Sequence, residues 1–153
     1  MPGLFKNKVM PIDYKKYPSN WKTEIVPSIL KRAKNRCEKC NARNKSAVFR
    51  GILYGVEVYQ DIDGRIYDTD NGAFIIRDYY APIDPSSGNI NQVAITIVIT
   101  IAHLDHNTAN NEPSNLKALC QLHHLRYDAE HHKNTRKANR IKKLGLVDLF
   151  DKK

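Results

Sequence analysis

Long apolar runs are scarce in this chain. The longest extends from Val93 to Ala102 and contains two threonines, whereas a membrane-spanning helix needs about 20 predominantly apolar residues. We therefore expect no membrane-spanning segment. The first residues also lack a continuous apolar core followed by a small-residue cleavage site. We therefore expect no secretory signal and a cytoplasmic protein.

Cysteine is scarce as well. The chain has three cysteines, an odd number, which does not suit a disulfide framework. In a reducing compartment, cysteines at close spacing indicate metal binding or thiolate chemistry instead. Cys37 and Cys40 have this spacing, because they form a Cys-x-x-Cys pair.

Acidic residues are outnumbered. The chain has 16 Asp and Glu against 25 Lys and Arg, which gives a formal net charge of +9 at pH 7. This balance favours a polyanionic partner, with nucleic acid first. The alternative is a merely soluble basic surface, since net charge bears on association and not on fold. With 153 residues, 41% of them hydrophobic, the chain fits one compact domain, which we place at residues 19–153.

The first part of the chain is predicted to be an extended arm followed by a helix. Residues 1–18 are basic, contain several prolines and show no periodicity, which is typical of an arm. From Ser19 onward, Trp21 and Ile25 begin an apolar pattern at helical spacing. Pro27 is a candidate break in this helix.

The middle of the chain is predicted to be β-rich. Residues 48–80 consist of β-branched and aromatic runs, separated by the hairpin-turn pairs Asp63-Gly64 and Asn71-Gly72. We predict an antiparallel meander within a β-rich insertion at 48–90. The apolar stretch at 93–102 is predicted to be a strand buried on both faces, and it leads into His103.

The last part of the chain is predicted to be helical. Leucines recur at helical spacing between Asn115 and Asp128, and a basic pattern follows from Lys133 to Leu144. The sequence therefore predicts two helices, the second within a basic tail at 133–153.

The segment from 101 to 128 resembles the HNH nuclease family, which belongs to the ββα-metal nucleases. In that family a strand ends at the first His, a loop follows, an Asn-Leu pair opens a helix, and the last His lies on that helix. The corresponding residues here are His103, Asn115 and His124. The resemblance implies an α+β fold with a ββα-metal core at 93–128, zinc-binding knuckles, the inserted meander and flanking helices.

The resemblance also implies an activity. HNH proteins of the small standalone type, known from phages and bacteria, are metal-dependent endonucleases that cut DNA and leave 5′-phosphate ends. Phosphodiester hydrolysis needs a deprotonated water, stabilisation of charge on the phosphoryl oxygens and help for the leaving oxygen. By resemblance His103 is the general base, because an imidazole can accept a proton near neutral pH. A structural histidine is the alternative. RNA stays an alternative substrate.

By resemblance His124 binds the catalytic metal. Asp128 follows at i+4 and would lie on the same helix face as a second ligand. Magnesium or manganese suits a carboxylate and water, and an imidazole also accepts nickel or zinc. Alternatively, Asp128 is a surface carboxylate that pairs with Arg126 or His131.

The chain departs from the family pattern at Ala102, where an acidic residue or a second His usually binds the metal. Either the metal has fewer protein ligands, or Asp105 or His106 replaces the missing one; we favour Asp105. The alternative for Asp105 is an Asx turn with its own backbone. Asn115 is expected to cap the helix and to tie back the loop that bears His103.

The cysteines point to a second, structural metal. Cys37-x-x-Cys40 and Cys120-x-x-His123 form two knuckles with the ligands of a closed tetrahedral zinc site. In many HNH proteins the later knuckle is another Cys-x-x-Cys, so His123 replaces a cysteine and leaves His124 for catalysis. The alternatives are a redox pair at Cys37 and Cys40, or reduced core cysteines.

Basic side chains near the end of the chain are candidates for phosphate contacts. These are Arg126, Arg136, Lys137 and Arg140. An ordinary solvated helix face is the alternative. The rival for the whole chain is a non-catalytic zinc-containing module that binds nucleic acid, with Ala102 as the mark of a degenerate site. The sequence indicates no role for the insertion at 48–90, for His131 or His132, or for a particular oligomeric state.

Overall fold

The computed structural model of the protein describes residues 13–78 and 93–144, and these form a mixed α+β fold. Two short turns of 3-10 helix, at Tyr14–Lys16 and Pro113–Asn115, and a π-helical turn at Trp21–Ile25 accompany the regular elements. The regular elements are α1 (Val26–Arg32), β1 (Ala47–Leu53), β2 (Val56–Asp61), β3 (Arg65–Asp68), β4 (Phe74–Arg77), β5 (Ile95–Thr96), β6 (Ile99–His103), β7 (Leu116–Cys120) and α2 (Gln121–Lys143). No helix in the described ranges is long and apolar enough to cross a membrane.

The predicted meander is present as an antiparallel sheet. Its strand order is β4-β3-β2-β1-β5. Gly64 and Gly72 have φ angles of 75° and 72° at the two turns that the sequence predicted. A Cβ on Gly72 would lie 2.5 Å from the carbonyl oxygen of Cys40, so this turn packs directly against the first knuckle. Residues 79–90 of the predicted insertion lie outside the described residues.

A second, two-stranded sheet precedes the long helix. β6 and β7 are antiparallel, with Ile99 opposite Cys120 and His103 opposite Leu116, and α2 begins at Gln121 immediately after β7. The prediction of a helix from Asn115 to Asp128 is therefore wrong for its first six residues. The leucine spacing fits a helix, but hydrogen bonding to β6 makes this short apolar run a strand.

The single strand predicted at 93–102 is also wrong. The structure divides the segment into β5, which pairs with β1, and β6, which pairs with β7. Ile97 lies between them, fully buried, and its backbone N–H donates to the carbonyl of Ser46. One apolar run thus supplies both sheets. The prediction that it is buried on both faces is wrong, because Val93 is 67% and Val98 is 50% exposed.

The two helices predicted after residue 115 form one helix. α2 continues without a break to Lys143, because no glycine or proline interrupts residues 121–143. Every residue from Ala129 to Arg140 is exposed. Residues 145–153 of the predicted basic tail lie outside the described residues.

The start of the described chain packs against the body. Residues 14–16 form a turn rather than the predicted extended arm, and the Asp13 side chain accepts the backbone N–H of Lys15. The Tyr17 ring lies 4.8 Å from that of Trp21. Pro27 lies at the start of α1, where it is tolerated, and not at a break within it. Residues 1–12 of the arm lie outside the described residues.

The main hydrophobic core joins both sheets and both helices around the cysteines. It includes Trp21 and Ile29 from the first helical segment, Val48 from β1, and Leu116 from β7, together with all three cysteines. The three cysteine side chains therefore lie within the hydrophobic core.

Candidate metal centre and active site

The two predicted knuckles meet in the core. Cys37 and Cys40 lie in the loop after α1, Cys120 ends β7, and His123 lies in the first turn of α2. All four side chains are buried, and their ligand atoms lie within 4.8 Å of one another. The described residues therefore contain a Cys3His cluster that could hold a metal ion.

The spacing of the ligand atoms suits zinc. The Sγ atoms of Cys40 and Cys120 are 3.9 Å apart, and His123 Nδ1 lies 3.2 Å from Cys120 Sγ and 3.7 Å from Cys37 Sγ. A tetrahedral zinc with Zn–S bonds of about 2.3 Å places two sulfurs about 3.8 Å apart. Three sulfurs and one imidazole nitrogen are also the donors of a closed structural zinc site.

Local backbone geometry forms the first knuckle. The N–H of Cys37 donates to the carbonyl of Ala42, and the N–H of Asn41 donates to the carbonyl of Cys37. The N–H of Lys39 points at Cys37 Sγ, 3.4 Å away. Asn41 has a φ angle of 58°, a left-handed conformation that asparagine adopts at low cost. These bonds turn both sulfurs toward the core.

A polar network fastens this knuckle to β7. Glu38 Oε2 accepts the backbone N–H of Ala118 at 2.7 Å, and the N–H of Glu38 donates to the carbonyl of Ala118. Arg32 donates to Glu38 and to the carbonyls of Pro113 and Leu116. The two knuckles are therefore held together by hydrogen bonds as well as by their ligands.

The cysteine side chains of this cluster share hydrogen bonds, which affect the pKa values of Cys40 and Cys120 in opposite directions. Hydrogen bonds from Cys37 and Cys40 lower the pKa of Cys120, and the same sharing raises the pKa of Cys40. Of these two cysteines, Cys120 is the one whose thiolate the shared hydrogen bonds favour. Arg50 Nη2 lies 3.8 Å from Cys120 Sγ. A zinc ion with three thiolates carries one net negative charge, which this guanidinium offsets.

The predicted general base, His103, lies at the end of β6. His103 is only 7% exposed. The ring stacks on Trp21 with centroids 5.1 Å apart, and Tyr17 lies 5.8 Å away. Its Nε2 is 3.1 Å from Oδ1 of Asn111. The imidazole is therefore held in one orientation by the core and by the following loop.

The Asn111 amide determines which ring nitrogen of neutral His103 carries the proton. Asn111 Nδ2 donates to the carbonyls of Thr108 and Ala109, each at 3.2 Å. Its Oδ1 is therefore the atom that faces His103, and an oxygen acceptor requires a donor. The proton lies on Nε2, and Nδ1 is the basic nitrogen.

His124 and Asp128 lie together on α2, as their i+4 spacing predicted. His124 Nε2 is 3.2 Å from Asp128 Oδ2. Burial lowers the pKa of His124, and the nearby Asp128 carboxylate acts against that shift. On its other side, His124 Nδ1 lies 2.6 Å from Oγ1 of Thr100 on β6.

His106, and not Asp105, contacts this pair. His106 Nδ1 is 3.3 Å from Asp128 Oδ1. The oxygens of Asp105 accept the backbone N–H of Asn107 and the side-chain amides of Asn110 and Asn115. These bonds, led by that from Asn107, lower the pKa of Asp105 to about 2. Asp105 therefore makes the contacts of its alternative, an Asx turn, and its role as a metal ligand stays a prediction.

Asn115 ties back the loop but caps no helix. Its Oδ1 accepts the N–H of Asp105, and its Nδ2 donates to Asp105 Oδ1 and to the carbonyl of Asn110. Its own carbonyl accepts the N–H of Leu104. The prediction of a helix cap is wrong because α2 begins six residues later, at Gln121.

The predicted nucleic-acid contacts divide into two groups. Arg126 is paired with Glu57 at 2.5 Å and with Asp70 at 3.6 Å, which joins α2 to the meander. Its charge is therefore partly balanced. Arg136, Lys137 and Arg140 lie on the exposed second half of α2.

The sequence did not indicate Thr100 or Asn111, which contact His124 and His103, and it did not indicate that His106 contacts Asp128. A threonine in an apolar strand gives no sign of a functional contact by itself. The same is true of an asparagine in an asparagine-rich loop. The sequence predicts Tyr17 in the arm and Trp21 in the first helix, and the structure shows that both also pack against His103. Thr100 acquires its contact from the packing of α2 beside β6, and the other three acquire theirs from packing around His103.

Comparison with models of protein families, with curated proteins and with solved structures finds no match for this chain.

Proposed function

We propose that this protein is a zinc-stabilised, metal-dependent endonuclease of the HNH type that hydrolyses phosphodiester bonds in DNA. The observation that carries the proposal is the placement of His103 beside the His124–Asp128 pair. α2 lies along β6, since His124 contacts Thr100 and the Tyr127 hydroxyl donates to the carbonyl of Leu104, the residue after His103. His103 therefore ends the strand along which His124 and Asp128 lie, and after burial it is among the groups that lower the pKa of His124.

The proposed roles follow from the ring nitrogens. His103 accepts a proton from water through Nδ1, because Asn111 holds its Nε2. His124 Nε2 and Asp128 would hold a divalent ion, which would act as a Lewis acid on the phosphoryl and leaving oxygens. Thr100 supports this assignment, since its hydroxyl can accept the Nδ1 proton of His124, as partners of metal-binding histidines commonly do.

The second half of α2 is the proposed DNA contact. It extends beyond the core as an exposed helix that carries Arg136, Lys137, Arg140, Lys142 and Lys143. Such a helix can contact DNA phosphates without recognising the base sequence, and its affinity for DNA would fall as the salt concentration rises. The formal net charge of +9 is in keeping with this role.

A non-catalytic zinc module that binds nucleic acid is the second candidate. The burial of His103 under Tyr17 and Trp21 favours it, because a buried histidine can serve packing alone. Both candidates predict zinc and DNA binding. They differ only in whether DNA is cut.

Cleavage by the zinc-loaded protein tests the proposal. Supercoiled plasmid is expected to be nicked when magnesium, manganese or nickel is added and to stay intact in EDTA at an exposure that leaves the zinc bound. Single-stranded DNA, double-stranded DNA and RNA are assayed in parallel. Binding of DNA without cleavage in any of the three metals would favour the non-catalytic module.

Asn111 is expected to act as a positioning residue for His103. Asn111→Ala removes the acceptor that holds the proton on Nε2, a net hydrogen bond of about 1 kcal/mol, or about fivefold in rate. Asn110→Ala, in the same loop, is the matched control, because Asn110 contacts Asp105 instead. The ¹⁵N chemical shifts of His103 measure the tautomer. An unchanged tautomer in Asn111→Ala would contradict this role.

A further inference from the structure

A basic cleft lies between the first knuckle and the meander. Its volume is about 790 Å³, within the range of about 300–1,000 Å³ that is typical of ligand sites. It is lined by the loop that follows α1 and by parts of β1, β2 and β3. The described residues that line it include five cations, namely Lys34, Arg36, Arg43, Lys45 and Arg65.

Only one of these five cations is held by carboxylates of the cleft. Arg65 Nη1 lies 2.9 Å from Asp63 and 3.4 Å from Asp61. In the described parts of the chain, no ion pair holds any of the other four, which lie between residues 34 and 45 and which we call the loop cations. The described chain therefore leaves the charge of the loop cations unbalanced.

The placement of the loop cations is unfavourable for the fold itself. Arg36 and Arg43 lie directly opposite each other on an antiparallel β-bridge, where like charges repel. Lys34 and Lys45 have φ angles of 53° and 60°, in the left-handed region that is disfavoured for lysine. Strained placements of this kind often mark functional sites.

Hydrogen bonds hold the loop in one shape. The side-chain amide of Asn44 donates to Oδ1 of Asn35, and its backbone N–H donates to the Asn35 carbonyl, each at 3.0 Å. Arg36 Nη1 donates to the carbonyl of Asn41 at 3.1 Å. Because Cys37 lies in the same loop, a structural metal would fix it further. Cations that are held in place in this way lose less freedom when an anion binds.

Two tyrosines line the same cleft. The Tyr59 hydroxyl donates to the carbonyl of Cys40 at 2.8 Å. The Tyr59 ring stacks on that of Tyr67, with centroids 5.1 Å apart and planes at 20°. Tyr59 is buried, whereas Tyr67 is half-buried. Sites for single-stranded nucleic acid combine a positive groove with aromatic side chains. An acidic peptide would pair with the cations but has no comparable use for the aromatic wall.

The cleft and the proposed catalytic site lie at opposite ends of β6. The N–H of Lys45 donates to the carbonyl of Ile97, and Asn44 Oδ1 accepts the N–H of Ile99, the first residue of β6. His103 ends this strand, about 13 Å further along at about 3.3 Å per residue. The two sites share no residue, so binding in the cleft and cleavage can be measured separately.

We propose that this cleft binds a single-stranded segment of DNA, with phosphates on the loop cations and a base or sugar against Tyr67. Lysine and arginine both bind phosphates, and arginine does so through two parallel hydrogen bonds. The inference rests on the proposed function for the choice of DNA as the anion. It adds a second DNA contact to the exposed half of α2.

Binding of single-stranded DNA by the zinc-loaded protein tests the cleft. The probe is a fluorescent oligothymidylate of about 12 nucleotides, a length that suits such sites. Its anisotropy is measured without added divalent metal. Arg43→Gln/Lys45→Gln removes two of the loop cations. Lys31→Gln/Lys39→Gln is the matched control, because it removes the same charge from two exposed lysines that do not line the cleft.

The two double variants are expected to differ. The cleft variant should bind the probe about fivefold more weakly or worse, and the slope of log affinity against log salt should fall by about 0.7 for each lost phosphate contact. The control should change the affinity by less than about twofold. Nuclear magnetic resonance of the wild type should show probe-dependent shifts of backbone amide signals at 34–46. Zinc content and thermal unfolding establish that each variant is folded.

The outcomes distinguish this inference from the function on which it rests. Equal losses of affinity in both double variants, or none in either, would overturn the cleft while plasmid cleavage by the wild type stood. Competition by thymidine monophosphate or polyglutamate as strong as that by unlabelled oligothymidylate would overturn the assignment to a DNA strand. A wild type that neither binds nor cuts DNA would overturn both proposals. A loss confined to the cleft variant, with shifts at 34–46, supports the inference whether or not plasmid is cut.

Discussion

Replacement of His123 by Ala is expected to release the structural metal and to unfold the domain. His123 points its Nδ1 at the sulfurs of Cys37 and Cys120, and all three cysteines lie in the main core. Structural zinc contributes about 10–16 kcal/mol in small zinc-binding peptides, which is comparable to the whole stability of a domain, about 5–15 kcal/mol. We therefore expect His123→Ala to lose its cooperative unfolding transition.

The adjacent residue provides the matched control. His124→Ala changes the same side chain one position later in α2, where the contacts are Thr100 and Asp128 instead. This variant and the wild type are both expected to retain about one equivalent of zinc after dialysis and to unfold cooperatively. Elemental analysis and circular dichroism measure the two properties. One equivalent of zinc in folded His123→Ala would contradict the four-ligand site.

Loss of the His103 imidazole is expected to have the largest effect on cleavage. A general base contributes about 10²- to 10⁴-fold, so His103→Ala should slow plasmid nicking by that factor in the presence of bound metal. The same change removes a ring that stacks on Trp21. A fall in activity could therefore reflect loss of packing rather than loss of the base.

His103→Gln separates the two causes. The glutamine amide can donate to Asn111 Oδ1, which lies 3.1 Å from His103 Nε2 in the structure, but it cannot accept a proton from water. Its activity is expected to fall as far as that of His103→Ala, while its zinc content and unfolding temperature stay closer to the wild type. A glutamine variant that cuts DNA at the wild-type rate would assign His103 to packing alone.

Local signals predicted the parts of the fold that depend on few residues. The Asp-Gly and Asn-Gly pairs placed the turns at Gly64 and Gly72, because glycine adopts positive φ angles readily. The spacing of Cys37, Cys40, Cys120 and His123 predicted the Cys3His cluster, because few other arrangements place three cysteines and a histidine in two knuckles. Both predictions are confirmed.

Elements that depend on distant partners were predicted less well. Residues 116–120 have leucines at helical spacing, yet they form β7, because β6 supplies the hydrogen-bonding partner. The turn between β1 and β2 was also not predicted. Tyr54 has a φ angle of 50°, and tyrosine gives no local sign of such a conformation.

In the candidate site, too, local spacing was predictable and contacts with distant residues were not. The i+4 spacing placed Asp128 beside His124 on α2, since helix geometry alone determines it. The contact of His106 with Asp128 depends on the left-handed turn at His106 and on ring stacking with His131. Neither feature is visible in a run of polar residues, and Asn111 could not be distinguished from its asparagine neighbours.

The most direct test of the central claim is the single-turnover rate of plasmid nicking by zinc-loaded wild type and His103→Gln, each with saturating Mn²⁺. The account predicts metal-dependent nicks with 5′-phosphate ends from the wild type and a rate at least about 10²-fold lower from the variant. Equal rates for the two proteins, or no nicking by a wild type that binds both metals and DNA, would contradict it.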